Sequence, residues 1–547
     1  MRNNFCKFLT GAVLFGALFI SFNGNAQVAP KPAAELPKNW HLMDLKTDGQ
    51  FGISLNQAYQ LVKTKKSKTV VIATIDSGID TAQADLKPVL WVNTKEIPGN
   101  GIDDDKNGYV DDIHGWDFLG GPGGKADFTE TTEEVREYNK LKDKYLSGNA
   151  SGASEKDMAY WIKVRATHDA TIAKSKEEIT QLQPIMNALM ATSGYVKRAL
   201  KLKSDGSFRK ADLAKITAAN DTVKQSRDIW ISVFEQQGGD DTNAKIINDM
   251  SEYLAKLNND VNPDLDARKR IVGDNPDVND GKPYGNNILK FADAEHGTGV
   301  AGLIGAVRGN KYGIDGVADN VRIMAIKAVP NGDEYDKDIA NAIRYAVDNG
   351  AKVINMSFGK KLSPHKDWVD EAFKYAAAKD VLLIQASGND NQDVDVKPEF
   401  PNDMFEDGSA MDADNVINVG ASANKQDENL AGTFSNYGKK NVDVFAPGVK
   451  VTSVNMDAEF NTADGTSFAA PITTGIAALI LEYYPTLSAK QLKQVILESA
   501  TPLNGTMVLK PGTQDKVDFT TLSKTGGIVN AYKALLIASK LKGERAI

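Results

Sequence analysis

The stretch Asp464-Gly-Thr-Ser-Phe-Ala-Ala-Pro471 sets Ser467 at the mouth of an apolar helix that runs on through Ile476, Leu479 and Ile480. The first N–H groups of a helix have no internal acceptor, and the helix dipole makes that end positive. A serine there can be a plain N-cap, a post Thr466 could also fill. It can equally be a nucleophile whose surroundings favour negative charge on a substrate oxygen. A nucleophilic serine needs a base, and the base needs a group to orient it. Two distant segments carry those residue types: Thr74-Ile-Asp-Ser-Gly78, containing Asp76, and Glu295-His-Gly-Thr-Gly299, containing His296. Each has an alternative. Asp76 could cap the next turn, and His296 could be structural. Metal binding by His296 finds no second histidine at ligand spacing.

Asp76 ends Val70-Val-Ile-Ala-Thr-Ile75, a short apolar run rich in β-branched residues. Such runs suit strands buried on both faces. Similar runs recur at Ile323–Val329, Val353–Met356, Val381–Ala386 and Val416–Ala421. Helical patterns lie between and after them. Asp338–Asn349 carries Ile339, Ile343, Ala346 and Val347 on one face and ends at Gly350. Asp367–Lys379, Ser488–Ser499 and Val529–Lys540 are further helices. Strand–helix alternation predicts an α/β fold with a mostly parallel sheet flanked by helices. Strand ends in such sheets are where ligands collect, which favours Asp76 as functional.

Residues 126–270 break the alternation and read as a large helical insertion between the Asp76 and His296 segments. Ile172, Ile179, Leu182, Met186 and Leu189 form a helical apolar seam, which Pro184 is expected to kink or split. Ala211–Gln237 and Asn243–Asn258 are further helices. The insertion either decorates the surface or serves as a lid, a maturation element or a dock for a partner or regulator. The catalytic domain is expected over 40–125 and 271–547.

The segments around Asp76, His296 and Ser467, in that chain order, resemble the three signatures of the subtilisin-like serine proteases. Asn355-Met-Ser-Phe-Gly359 resembles that family's substrate-lining strand, and Ala386-Ser-Gly-Asn389 its oxyanion-hole loop. Phe434-Ser-Asn-Tyr-Gly438 and Ala446-Pro-Gly448 resemble later landmarks. The resemblance implies a subtilisin-like fold and a serine endopeptidase acting through an acyl-enzyme. Ser467 would attack the scissile carbonyl, His296 would act as general base and then acid, and Asp76 would orient the imidazole. Asn389 and the Ser467 N–H would hold the oxyanion. Ser357, Phe358 and Gly359 would pair with an extended protein or peptide substrate as an added strand.

Three departures accompany the resemblance. Gly299 stands where the family usually has a second histidine, and Phe468 where a methionine often follows the nucleophile. Only about 50 residues separate the expected leader from Asp76, too few for the family's usual folding pro-domain. A catalytically silent subtilisin-like peptide-binding protein is the alternative function. A lipase-type hydrolase would want Gly-x-Ser-x-Gly, whereas Ser467 sits in Gly-Thr-Ser-Phe-Ala.

Gly99-Asn-Gly-Ile-Asp-Asp-Asp-Lys-Asn-Gly-Tyr-Val-Asp-Asp112 packs carboxylates densely enough to repel one another without a cation. Asp103, Asp105 and Asn107, then Gly108, present hard oxygens at a spacing that suits Ca2+, with Asp111 and Asp112 as further ligands; a solvated acidic turn is the alternative. His114 stands where an EF-hand would have its bidentate glutamate, so a standard EF-hand is not expected. The resemblance points the same way, since subtilisin-like proteases often bind structural calcium. A second acidic and amide-rich stretch, Asp274–Asn287, could shape the cleft or hold another ion.

The chain of 547 residues carries a formal charge of −8. It has no basic stretch that would call for nucleic acid as a partner. Residues 1–26 read as a signal peptide: Arg2 and Lys7, an apolar run from Leu9 to Phe22, then Gly24-Asn25-Ala26. That run is short for a membrane span, so no span is expected after cleavage; a retained N-terminal anchor is the alternative. The product would be exported, either secreted or periplasmic. Residues 27–39 read as a flexible arm. The one cysteine, Cys6, lies inside the expected leader, which removes disulfides and thiol chemistry from the mature protein.

Overall fold

Nine strands pair into one sheet. In chain order they are β1 (Val70–Asp76), β2 (Gly115–Asp117), β3 (Val321–Lys327), β4 (Val353–Met356), β5 (Leu382–Ala386), β6 (Val416–Ser422), β7 (Val444–Pro447), β8 (Thr501–Pro502) and β9 (Gly527–Ile528). Across the sheet they lie in the order β8-β9-β7-β6-β5-β4-β1-β3-β2. Every pairing is parallel except β8 with β9. The structure, a computed structural model, describes residues 36–545 apart from 128, 148–151, 218–219, 238–240 and 410. The expected signal peptide and most of the expected arm lie outside the described residues.

Successive side chains of a strand point to opposite faces. Val70 and Ile72 of β1 therefore enter one hydrophobic cluster, and Ala73 and Ile75 enter another. Burial on both faces is why these strands read as unbroken apolar runs. The first four apolar runs and the Val416 run all form strands. The Ile323–Val329 run is shifted to Val321–Lys327, because Ala328 and Val329 both turn their N–H groups onto the Asp76 carbonyl, at 3.0 and 3.2 Å. The strands at 501–528 are too short to leave a periodic signal.

The described chain divides into two compact units, 134–264 and 35–133 together with 265–547. The helical unit contains α1 (Glu155–Ala199), α2 (Asp221–Gln237) and α3 (Asn243–Val261). Leu182, Met186 and Leu189 of the expected seam do enter its core, beside Trp230, Phe234 and Met250. The expected split at Pro184 does not occur, and α1 continues through it. Pro184 and Thr180, whose carbonyl loses its helical partner, are both on the exposed face, where water can serve that carbonyl. The helix expected from Ala211 is in fact delayed to Asp221, where Asn220 Oδ1 accepts the Val223 N–H at 3.0 Å.

In the second unit, α4 (Glu295–Gly305), α7 (Thr466–Tyr483) and α8 (Ala489–Ser499) contribute to the cluster on one face of the sheet. Helices α5 (Asp336–Asp348) and α6 (Lys366–Ala378) contribute to the other. Start signals are visible locally: Ser488 and Gln491 form a reciprocal capping box at the head of α8. Gly350, at φ 88°, ends α5 as expected.

One carboxyl group in this core has a pH consequence. Glu482, near the end of α7, is fully buried and accepts the Asn320 N–H at 3.0 Å. Burial, together with the charge of Asp319, pushes its carboxyl up to about 9. The native state therefore keeps a proton that the unfolded chain releases near 4.5. Stability must fall as pH rises through that window. Glu482→Gln keeps the acceptor and removes the titration. It is expected to recover roughly 1–3 kcal/mol of the alkaline loss. Thermal melts of both proteins from pH 5 to 9 would check this, and parallel curves would refute it.

Candidate active site

The carboxyl ends of β1, β4 and β5 lie side by side in the sheet. Asp76 is the last residue of β1, Ser357 follows β4, and Asn389 lies three residues beyond β5. His296 is in the first turn of α4, and Ser467 is the second residue of α7. Helices α4 and α7 pack against each other, which brings the two helix N-termini to the strand ends.

Asp76 and His296 are joined. His296 Nδ1 lies 2.7 Å from Asp76 Oδ1. The same oxygen accepts the Ser77 N–H at 2.7 Å. The Asp76 side chain is 2% exposed and that of His296 36%, so the carboxylate is sealed while the ring reaches solvent. The approach depends on Gly297: a Cβ there would lie 2.1 Å from the Gly78 carbonyl O and 3.1 Å from Asp76 Cβ. Glycine at 297 is therefore a packing requirement of this contact.

Ser467 does not cap its helix. The N-cap position is Gly465, which has no side-chain cap. Ser467 Oγ has no hydrogen-bond partner among the described residues, and its N–H is one for which the helix offers no acceptor. The Phe468 ring stands edge-on to the His296 ring, with centroids 6.1 Å apart. No hydrogen bond joins Ser467 to His296 among the described residues. Such bonds are often long in unliganded enzymes and tighten when substrate binds.

Asn389 is held with its donor side outward. Its Oδ1 accepts both the N–H and the Oγ1–H of Thr466, each at 2.9 Å. A backbone N–H can only donate, so the atom it meets must be the amide oxygen, and Nδ2 is left facing away. The Gly388 N–H donates to Thr466 Oγ1 at 3.2 Å and steadies the same loop. Thr466 was read from the sequence only as a possible cap. Its role in orienting Asn389 is visible only once the β5 loop meets α7.

The Ser357–Gly359 segment is anchored beneath the serine. Ser357 Oγ donates to the Ser467 carbonyl O at 3.0 Å and accepts from Asn355 Nδ2 at 2.8 Å. Thr474 Oγ1 donates to Asn355 Oδ1 at 3.0 Å, so β4 and α7 are pinned by one polar chain. Phe358 is buried in the core and Gly359 is exposed. The side chains of Ser357 and Phe358 are thus engaged inside the protein, leaving the backbone of this segment for any strand-like partner.

Behind Asp76 lies a buried charge group. Lys327, fully buried at the end of β3, donates to Asp293 Oδ2 at 2.6 Å and to the Ser77 carbonyl O at 2.7 Å. Burial pushes the Asp293 carboxyl up, and the Lys327 charge opposes the rise. Asp117 on β2 is also pushed well above the usual range by burial. Neither Lys327 nor Asp293 was singled out in the sequence.

The acidic loop brings together a different set from the one expected. Carboxylate oxygens of Glu96, Asp103 and Asp105 lie within 4.8 Å of one another. Glu96 was missed because it precedes the loop. Asp111 and Asp112, expected among the ligands, lie outside that trio and accept protein donors, as do Glu96 from the Asp105 and Asp111 N–H groups and Asp103 from those of Asn107 and Gly108. Asp111 accepts the N–H groups of Gly99, Asn100 and Gly101. Asp112 is fully buried and accepts from Asn93, Asn107 and Tyr345. Asn107 Oδ1 accepts the Tyr109 N–H at 2.7 Å. In the other acidic stretch, Asp274 is neutralised by Arg268 and Lys337.

The family model described as Peptidase_S8, subtilase family, matches residues 67–521. The thermophilic serine proteinase of Bacillus sp. (strain AK1) is 37% identical over 276 residues, 50% of this chain and 58% of that protein. Subtilisin DY of Bacillus licheniformis is 36% identical over 38% of this chain and 71% of its own. Thermitase of Thermoactinomyces vulgaris is 32% identical over 50% of this chain and 83% of its own. The chain thus spans little more than half the length of the first of these relatives.

Proposed function

Because this chain belongs to the subtilase family, we propose that it is an exported serine endopeptidase in which Ser467, His296 and Asp76 act as the catalytic triad. The observation that carries the reading is the 2.7 Å bond between His296 Nδ1 and the sealed Asp76 carboxylate. With Nδ1–H donated to Asp76, the Nε2 lone pair is the one available to a nucleophile. Ser467 Oγ attacks the scissile carbonyl while His296 Nε2 takes its proton. Asp76 stabilises the imidazolium that forms. The tetrahedral oxyanion is met by Asn389 Nδ2 and the Ser467 N–H. His296 then returns the proton to the leaving amine, and water repeats the cycle on the acyl-enzyme. The substrate is a protein or peptide, lying extended along the backbone of Ser357–Gly359.

A fluorophosphonate tests this reading directly. The probe is expected to add one phosphonyl group to Ser467, found by peptide mass. A folded protein that stays unlabelled would instead support the catalytically silent peptide-binding alternative. Export rests on residues 1–26. No helix among the described residues is long and apolar enough to cross a membrane.

Calcium is proposed as a structural ion held by Glu96, Asp103 and Asp105. Three converging carboxylates make an all-oxygen donor set of the kind hard cations prefer. A bound ion would stabilise the native state by RT ln(1 + [L]/Kd), about 2.7 kcal/mol at a hundredfold excess over Kd. Chelator is expected to lower the melting temperature by several degrees. Asp103→Asn is expected to lower it without chelator and to abolish the chelator response. A wild-type melt indifferent to chelator would remove the ion from the account.

A further inference from the structure

At the carboxyl ends of β1, β3 and β2, the parallel register sets Asp76, Lys327 and Asp117 in one row. Neighbours in such a row project to the same face of the sheet. Lys327 has no access to solvent, and an ammonium without water must be met by acceptors. Its Nζ meets two, the Ser77 carbonyl O at 2.7 Å and Asp293 Oδ2 at 2.6 Å. The Phe291 ring lies 5.6 Å from it. Ser77 follows Asp76, and Asp293 lies three residues before His296. Ser77 Oγ closes the loop by donating to the Asp293 carbonyl O at 2.8 Å. One buried cation therefore ties together the two segments whose side chains meet in the Asp76–His296 bond.

We propose that Lys327 is a positioning residue that holds Asp76 and His296 in register, and that its charge is part of the field in which His296 works. This rests on the triad reading above. The titratable groups facing Lys327 are Asp76 from β1, Asp117 from β2, whose burial favours its neutral form, and Asp293 from the segment leading into α4. By Coulomb's law a negative charge near an imidazole favours its protonated form and a positive charge opposes it. Removing Lys327 and removing the Asp293 charge therefore change the field in opposite senses.

The test is the pH dependence of kcat and kcat/KM for the purified full chain on a fluorogenic peptide, in Lys327→Met, Lys327→Arg and Asp293→Asn. K327M is expected to lower kcat about 10- to 100-fold through misplacement of the pair, with KM little changed. Its acid limb should move to higher pH by about 0.5–1.5 units. D293N should move the limb to lower pH. K327R should keep it in place and recover most of the rate. A purely packing role for Lys327 would not give opposite displacements in the two variants. If K327M does not fold, D293N and K327R carry the test. An acid limb unmoved in D293N, or moved the same way as in K327M, overturns the proposal while leaving the triad standing. A wild type that neither labels with fluorophosphonate nor cleaves overturns both.

Discussion

Ser467→Ala should lose essentially all peptide hydrolysis, on the order of 10⁶ in kcat, while melting at the wild-type temperature. That scale is set by triad removal in subtilisin, a member of the same family. The fold should be indifferent, because Ser467 Oγ neither caps α7 nor bonds any described residue. Only its backbone is used, through the carbonyl that accepts from Ser357 Oγ at 3.0 Å, and alanine keeps that carbonyl. The residual rate should still exceed water's, because the Asn389 amide and the helix N–H groups remain. Active-site titration against a peptide substrate, beside a melt, would measure both halves. An alanine variant retaining even a hundredth of the activity would show that another group is the nucleophile.

The second large effect is expected at Asn389. Asn389→Asp keeps an oxygen for the Thr466 N–H but replaces the outward donor with a carboxylate oxygen. The loop should hold its place while the oxyanion loses a hydrogen bond and gains a repulsion. Loss of one such donor costs on the order of 10²–10³ in kcat, a figure also known from subtilisin. KM should move little, because the ground-state carbonyl uses this donor weakly. Asn389→Leu removes both functions, so it should match the loss in kcat and also lower the melting temperature. An Asn389→Asp variant within about fivefold of wild-type kcat would take the amide out of the mechanism; the threshold sits far below the expected loss.

Much of this molecule is legible along the chain because its signals are local. A strand buried on both faces must be apolar throughout, so Val70–Ile75 and Val353–Met356 are visible without a partner. Ser488 announces α8 by the capping box it forms with Gln491. Asp76, His296 and Ser467 each stand at the end of a strand or the start of a helix. Those are the places where a parallel sheet leaves groups free for a ligand. The errors are equally physical. The strand expected to reach Val329 stops at Lys327, because the next two N–H groups turn to the Asp76 carbonyl. In the metal loop, an aspartate's sequence position does not show which way its carboxylate points. Asp111 faces backbone N–H groups and Asp112 a tyrosine, whereas Glu96 arrives from outside the loop.

The chain on its own was enough for the alternation of strand and helix, the residue types at the strand ends and the interruption by a helical insertion. All of these follow from periodicity, capping and composition over a few turns. Which groups touch is a property of distance in space, and here the partners are tens to hundreds of residues apart. The 2.7 Å bond of His296 to Asp76 spans 220 residues. The Asn389 amide is aimed by Thr466, 77 residues on. Lys327 read as one more strand residue until the register laid it beside Asp76 with no water to solvate its charge. Burial makes such a cation demand its acceptors, and burial exists only after the sheet and helices have closed around it.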